Sequence, residues 1–222
     1  MTAELRGGPR HDPMIGLSEP GPQQVPPVQY WSDADRDGPD GYGAMVAELR
    51  AFLDHIAAAR PDAATAAELS GDLRAWRERL APMAVPEGEQ PFGHAYGLLG
   101  RGQTMSPALR VDRSDRSTVE GAVVFGRYYL GGNGAAHGGA IPLLFDEIMG
   151  RLANCAGRAL SRTAFLHTDY RSITPVGVEL SVRAWFEAEE GRKRMIRAEL
   201  RNGDVLCAEA HGLFIALNPG QP

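Results

Sequence analysis

Lysine is nearly absent from this chain: Lys193 stands alone against 22 arginines in 222 residues. With no GKS or GKT string there is no phosphate-cradling P-loop, and one lysine in an arginine-rich turn is a poor Schiff-base nucleophile. Cysteine is almost as scarce. Cys155 and Cys207, with no CxxC between them, offer neither a disulfide framework nor a thiolate zinc site. The six histidines stand at least 30 positions apart, so HxxxH and HExxH metal pairs are missing, and no metal site is expected. GxSxG is missing too, which argues against a serine on an α/β-hydrolase elbow. No apolar run approaches the roughly 20 residues of a membrane span, and residues 1–30 hold none of signal-peptide length. A cytoplasmic protein without a membrane span is the expectation. The net charge of −5 gives no electrostatic reason to expect a nucleic acid partner.

What is present falls into four stretches. Residues 1–41 carry seven of the sixteen prolines and little apolar periodicity, which predicts an irregular N-terminal arm. Within it Val25, Val28, Tyr30 and Trp31 could pack on the body. Asp33-Ala34-Asp35-Arg36-Asp37-Gly38 copies the opening of a calcium loop, but the twelfth position, which needs a bidentate Glu, is Ala44. An acidic turn before a helix is the better reading. Residues 42–82 predict a helical hairpin. Met45, Val46, Leu49, Phe52, Leu53 and Ile56 follow helical spacing up to Pro61; Leu69, Leu73, Trp76 and Leu80 form a stripe on a second helix capped by Asp62. Both stripes are expected to pack. Residues 83–102, rich in Gly and Pro, read as a linker.

From 103 to 219 the period changes. Strands are expected over 105–112 and 117–130, followed by a loop, Gly131-Gly-Asn133-Gly-Ala-Ala-His137-Gly138-Gly139, and a helix to about Ala156. Four more strands follow, at 163–172, 178–187, 193–201 and 205–217, the last pair joined by an Asn202-Gly203 turn. This β-β-α-β-β-β-β order predicts an α+β fold with one long helix on a largely antiparallel sheet. A dinucleotide-binding reading of the glycine loop fails on two counts. His137 replaces the third glycine of the fingerprint, and hairpins rather than a second βαβ unit follow.

On the predicted helix, Ile141, Leu144, Phe145, Ile148 and Leu152 make one apolar face, while Asp146 lies about 140° round, in line with Gly139, Gly150 and Ala153. Small residues one turn either side leave room for a ligand or another helix. Asp146 is about seven residues, roughly 10 Å, into the helix, too far for capping. If it works with N–H donors at a helix start, those donors belong to a second copy. A solvated position, or pairing with Arg151, is the plain alternative.

His137-Gly138-Gly139 with Asp146 nine positions after the histidine resembles the hotdog-fold acyl-CoA thioesterases of the phenylacetate-pathway (PaaI-like) type, in particular the thioesterase superfamily member branch. The similarity continues through Thr163–Pro175 and Val205–Ile215 and covers roughly 100–219. The resemblance implies a hotdog fold hydrolysing an acyl-CoA thioester in a homodimer or dimer of dimers. It needs no cofactor, since coenzyme A is part of the substrate. It further implies that a Gly138 N–H, with Gly139 as a second candidate, stabilises the oxyanion at a helix N-terminus. Asp146 from the facing subunit activates water or attacks directly; His137 orients the carbonyl or braces the loop; Thr163 holds the water; and Asn133 is the one loop amide that could touch the carbonyl. Asp169, Arg171, Arg192, Lys193 and Arg194 are candidates for the phosphates of coenzyme A, the last three against a plain solvated turn. Rival readings are a hotdog module that binds acyl-CoA, or a partner through its helical hairpin, without hydrolysis, and an enoyl-CoA hydratase.

Overall fold

The computed structural model describes residues 40–221. The N-terminal arm, its aromatic pair and the calcium-loop-like string lie outside the described residues. Two helices come first, α1 (Tyr42–Ala58) and α2 (Ala63–Leu80), the second capped by the Asp62 carboxylate, which accepts from the Thr65 N–H at 2.8 Å. Then come β1 (Arg110–Ser114), β2 (Thr118–Val124), a small ribbon of β3 (Leu130–Gly132) and β4 (Ala135–Ala136), and helix α3 (Ala140–Ala153). Four long strands complete the chain: β5 (Ser161–Tyr170), β6 (Glu179–Glu190), β7 (Lys193–Asn202) and β8 (Val205–Ala216). The main sheet runs β1-β2-β6-β7-β8-β5, antiparallel throughout, with α3 on one face.

The sheet holds the helix closely because its inner face is built small. Ala184, Ala198, Ala208 and Ala210 are all buried beneath the larger residues of α3, Leu144, Phe145, Ile148, Met149 and Leu152. At Gly212 a Cβ would press to 3.2 Å from the Phe165 carbonyl oxygen and touch Met149 Sδ at 3.5 Å. Side chains thus fill the space from one side, and the helix drops toward the strands. Register breaks in β1, β5, β6 and β8 increase the local twist and curl the sheet around α3.

Two expected strands come out shorter. The first begins at Arg110 rather than 105, because the Gln103 carboxamide accepts from the Met105 and Ser106 N–H groups and Pro107 has no N–H to offer a ladder. The second ends at Val124, because the Asp54 carboxylate of α1 captures the Tyr128 N–H at 2.9 Å and holds 127–129 in a 3-10 turn. A Cβ at Gly126 would overlap that carboxylate, so the close approach needs glycine.

Helix α1 docks through part of its stripe, with Phe52, Leu53 and Ile56 half-buried and Met45 and Leu49 exposed. Val46 is buried, and Arg50 donates to the Gln103 and Ser106 carbonyls. Helix α2 does not. None of its residues is buried, and Leu73, Trp76 and Leu80 are each more than half exposed. The α2 stripe has helical period, but no surface of the described residues meets it.

Candidate active site

Helix α3 begins in a loop whose backbone is shaped by glycine and by its own histidine. Asn133 (φ 49°) and Gly134 (φ 76°) form the two-residue turn between β3 and β4, the left-handed pair that such hairpins demand. A Cβ on Gly131 would stand 2.8 Å from His137 Cα, so the ribbon folds back on the loop only with glycine there. The His137 N–H donates to the Tyr129 carbonyl, and His137 Nδ1 accepts from the Gly139 N–H at 3.0 Å. The ring therefore presents Nδ1 to its own loop, which places the proton of a neutral imidazole on Nε2. Of the two glycines after the histidine, Gly139 spends its N–H inside the loop. Among the described residues no acceptor takes the Gly138 N–H.

Strand β5 forms one edge of the sheet and is tied to α3 at three levels. At the helix start, the Tyr170 hydroxyl donates to the Gly138 carbonyl at 2.7 Å. In the middle, the Thr163 hydroxyl donates to Asp146 Oδ1, also at 2.7 Å. At the helix end, Asn154 Oδ1 accepts from the Ser161 N–H and hydroxyl at 2.8 and 2.9 Å. A register shift between Thr163 and Phe165 makes this possible. It breaks strict alternation, so Thr163, paired with buried Phe214, and Tyr170, paired with buried Ala208, face the helix although they lie seven residues apart.

Asp146 is exposed, on the rim of a cleft of about 230 Å³ shared with Thr163, Gly150, Phe214, Tyr96 and the next residue, Glu147. The Glu147 carboxylate is buried and gripped from both sides, by Arg101 at 2.8 Å and Arg151 at 2.8 Å. Arg101 holds left-handed backbone (φ 59°) next to Gly100 (φ 62°), a bend that brings its side chain over the helix. The sequence suggested Arg151 as a partner for Asp146; the structure gives Arg151 to Glu147. Both Cys155 and Cys207 are free thiols, and burial pushes the Cys155 thiol above its ordinary value, the wrong direction for a thiolate nucleophile.

Residues 133–209, the glycine loop through the middle of β8, match the family model described as Thioesterase superfamily. A thioesterase superfamily protein of known crystal structure, protein RHA08564, superposes with a TM-score of 0.67 at 23% identity, covering 81% of this chain and 98% of that one. The sheet and helix form a hotdog fold. The 81% covered is more than the residues of that domain alone. In sequence, 96 residues are 33% identical to the acyl-coenzyme A thioesterase THEM4 of Bos taurus. The match takes 42% of this chain and spans 39% of the length of that relative.

Within this hotdog domain, the residues singled out from sequence divide by place. His137, Gly138, Gly139, Asp146 and Thr163 all line one side of α3 and β5. Asn133 lies at the tip of the β3–β4 turn, exposed, where its left-handed backbone accounts for an amide residue. Asp169 and Arg171 lie at the far end of β5, where Arg171 is held by Glu209 at 2.6 Å and Asp169 at 3.4 Å. Arg192 and Lys193 are exposed at the β6–β7 turn, with Arg192 donating to Asn218. Arg194 turns inward. It is buried and donates to the Ala153 and Ala159 carbonyls at 2.7 and 2.8 Å, closing the C-terminal end of α3. Its neighbours on the strand alternate outward, which separates it from the turn it was grouped with. His167 and His211 stack on the outer sheet face, ring centroids 4.9 Å apart, and no group of three metal-ligating side chains occurs among the described residues. Sequence reasoning missed Tyr170, Ser161 and Glu147. Only the parity break in β5 and the bend at Arg101 reveal them.

Proposed function

We propose that this protein hydrolyses acyl-CoA thioesters, with Asp146 as the base and the Gly138 N–H as the oxyanion donor. The observation that carries the reading is the Thr163–Asp146 hydrogen bond. It fixes one oxygen of an exposed carboxylate at the mouth of a cleft, in a stretch that matches the Thioesterase superfamily model over residues 133–209. Asp146 takes a proton from water as its oxygen attacks the thioester carbonyl. The carbonyl π electrons move to oxygen, where the charge meets the Gly138 N–H and the helix start. Collapse expels the thiolate of coenzyme A, which leaves as the thiol after protonation. The geometry of one chain does not bring these groups together: eight residues of helix separate them by about 12 Å. We therefore place each site between two copies, Asp146 of one and Gly138 of the other, in a homo-oligomer. The HGG-to-Asp spacing supports the phenylacetate-pathway type within the superfamily.

Substituting Asp146→Asn keeps shape and hydrogen bonding while removing the base. Thiol release from acyl-CoA, followed with a thiol-trapping dye across short, long and aromatic acyl groups, is expected to fall at least about a hundredfold, the scale of general base catalysis. Unchanged turnover would remove Asp146 from the mechanism. Binding of CoA esters with no thiol released by the unaltered protein would instead favour the binding-module reading.

A further inference from the structure

Ala66, Leu69, Leu73, Trp76 and Leu80 recur along α2 at spacings of three, four, three and four residues, and Met83 follows in the turn Ala81–Met83 beyond its end. This is a two-stranded coiled-coil repeat, narrower than the stripe of a helix that packs on a sheet. The residues are solvent-facing: Leu73 is 52% exposed, Trp76 54%, Leu80 55% and Met83 68%. We infer that α2 is a self-association element, which pairs antiparallel with α2 of a second copy of this chain.

Three features select that occupant. Side-chain sizes are the first. Antiparallel pairing sets Leu73 against the second copy's Trp76 and Leu69 against its Leu80, and leaves the space over Ala66 to the turn carrying Met83 that follows the second copy's α2. The central layers then pair Leu73 with Trp76 and Leu69 with Leu80, whereas a parallel pair would stack Trp76 on Trp76 and Ala66 on Ala66. Charge is the second. Asp72 and Arg79 flank the seam on the same edge, seven residues apart, and reversal brings each beside the other's counterpart on the second copy, giving two symmetric ion pairs. Arg79 already lies against the seam, its guanidinium 4.1 Å from the centre of the Trp76 ring. The third is a groove at the opposite end of the seam. Ile56, Pro61, Ala66, Leu69 and Leu73 line a depression where α1 and α2 diverge, at the end where the second copy's Leu80 and Met83 arrive. Opposed helix dipoles favour the same orientation. The contact is separate from the α3–β5 face and does not depend on the activity proposed above.

Sedimentation equilibrium of the full chain tests this. The double variant Leu73→Glu/Trp76→Glu changes only exposed positions, so its circular dichroism should match the unaltered protein. Its mass is expected to halve, from dimer to monomer or, where copies are also joined through another face, from tetramer to dimer. Asp72→Arg and Arg79→Asp singly are each expected to weaken association about tenfold. Together they should restore it, since a parallel pair would not place these two residues side by side. A mass unchanged by the double variant overturns the inference, as does failure of the paired charge reversal to restore association. A mass that responds only to deletion of residues 1–39 also overturns it, because that outcome puts the chain's own N-terminal segment on the seam.

Discussion

Arg194 separates a structural arginine from a ligand-binding one, and its replacement has a calculable consequence. The guanidinium donates two hydrogen bonds to carbonyls at the end of α3, at 2.7 and 2.8 Å, and lies 3.4 Å from Glu189. Burial pulls its pKa below the usual arginine value, and a guanidinium stays charged in proteins. Hydrogen bonds from a charged donor contribute about 1.5–3 kcal/mol each, so two set a gross scale of about 3–6 kcal/mol. In Arg194→Ala, water reaches the Ala159 carbonyl, since Ala159 is exposed, but not easily the Ala153 carbonyl in the core. The lower end, about 3 kcal/mol, is the expected loss. For a chain of this size that lowers Tm by about 6–12 °C. Arg194→Lys keeps the charge but spans one carbonyl instead of two, so it should recover only part of the deficit. Thermal unfolding followed by circular dichroism reads the loss, and titration with coenzyme A on the folded variants reads ligand affinity. A Tm within about 2 °C of the unaltered protein, together with weakened coenzyme A binding, would refute the reasoning and return Arg194 to the ligand.

Two other outcomes test the site. If each site is shared between copies, inactive Asp146→Asn and inactive Gly138→Pro, which removes the N–H donor, should restore turnover when mixed and allowed to exchange subunits. Random pairing gives about a quarter of full activity; no recovery on demonstrated exchange would place both groups in one chain. Glu147→Gln removes the shared partner of Arg101 and Arg151, and is expected to cost about 3 kcal/mol. That is the low end for breaking a buried pair, because the Arg101 side chain, 27% exposed, can turn to water. An unchanged midpoint in urea would show that the pair of arginines does not depend on this carboxylate.

Much of the fold was legible in the chain. The period-2 runs of the last four strands, the Asn202-Gly203 turn and the apolar face of α3 are local signals, and each element formed within a few residues of its expected bounds. The shortened first and second strands were not legible, because Gln103 and Asp54 compete for backbone groups from elsewhere in the chain. Asp146 and Thr163 were legible as candidates through spacing and resemblance. Their contact was not, since it depends on one unpaired residue in β5 that reverses which side chains face the helix. Arg194 reads as one of three adjacent basic residues, and only burial distinguishes it. The α2 stripe shows the converse. Its periodicity promised a packed helix, yet packing needs a surface to receive it, and the chain's own described residues provide none. Linear order thus carries propensity, period and motif, which act over a few residues. Which carboxylate is gripped, which N–H stays open and which apolar face is left uncovered depend on groups brought together from distant positions, and those are settled only when the sheet closes around its helix.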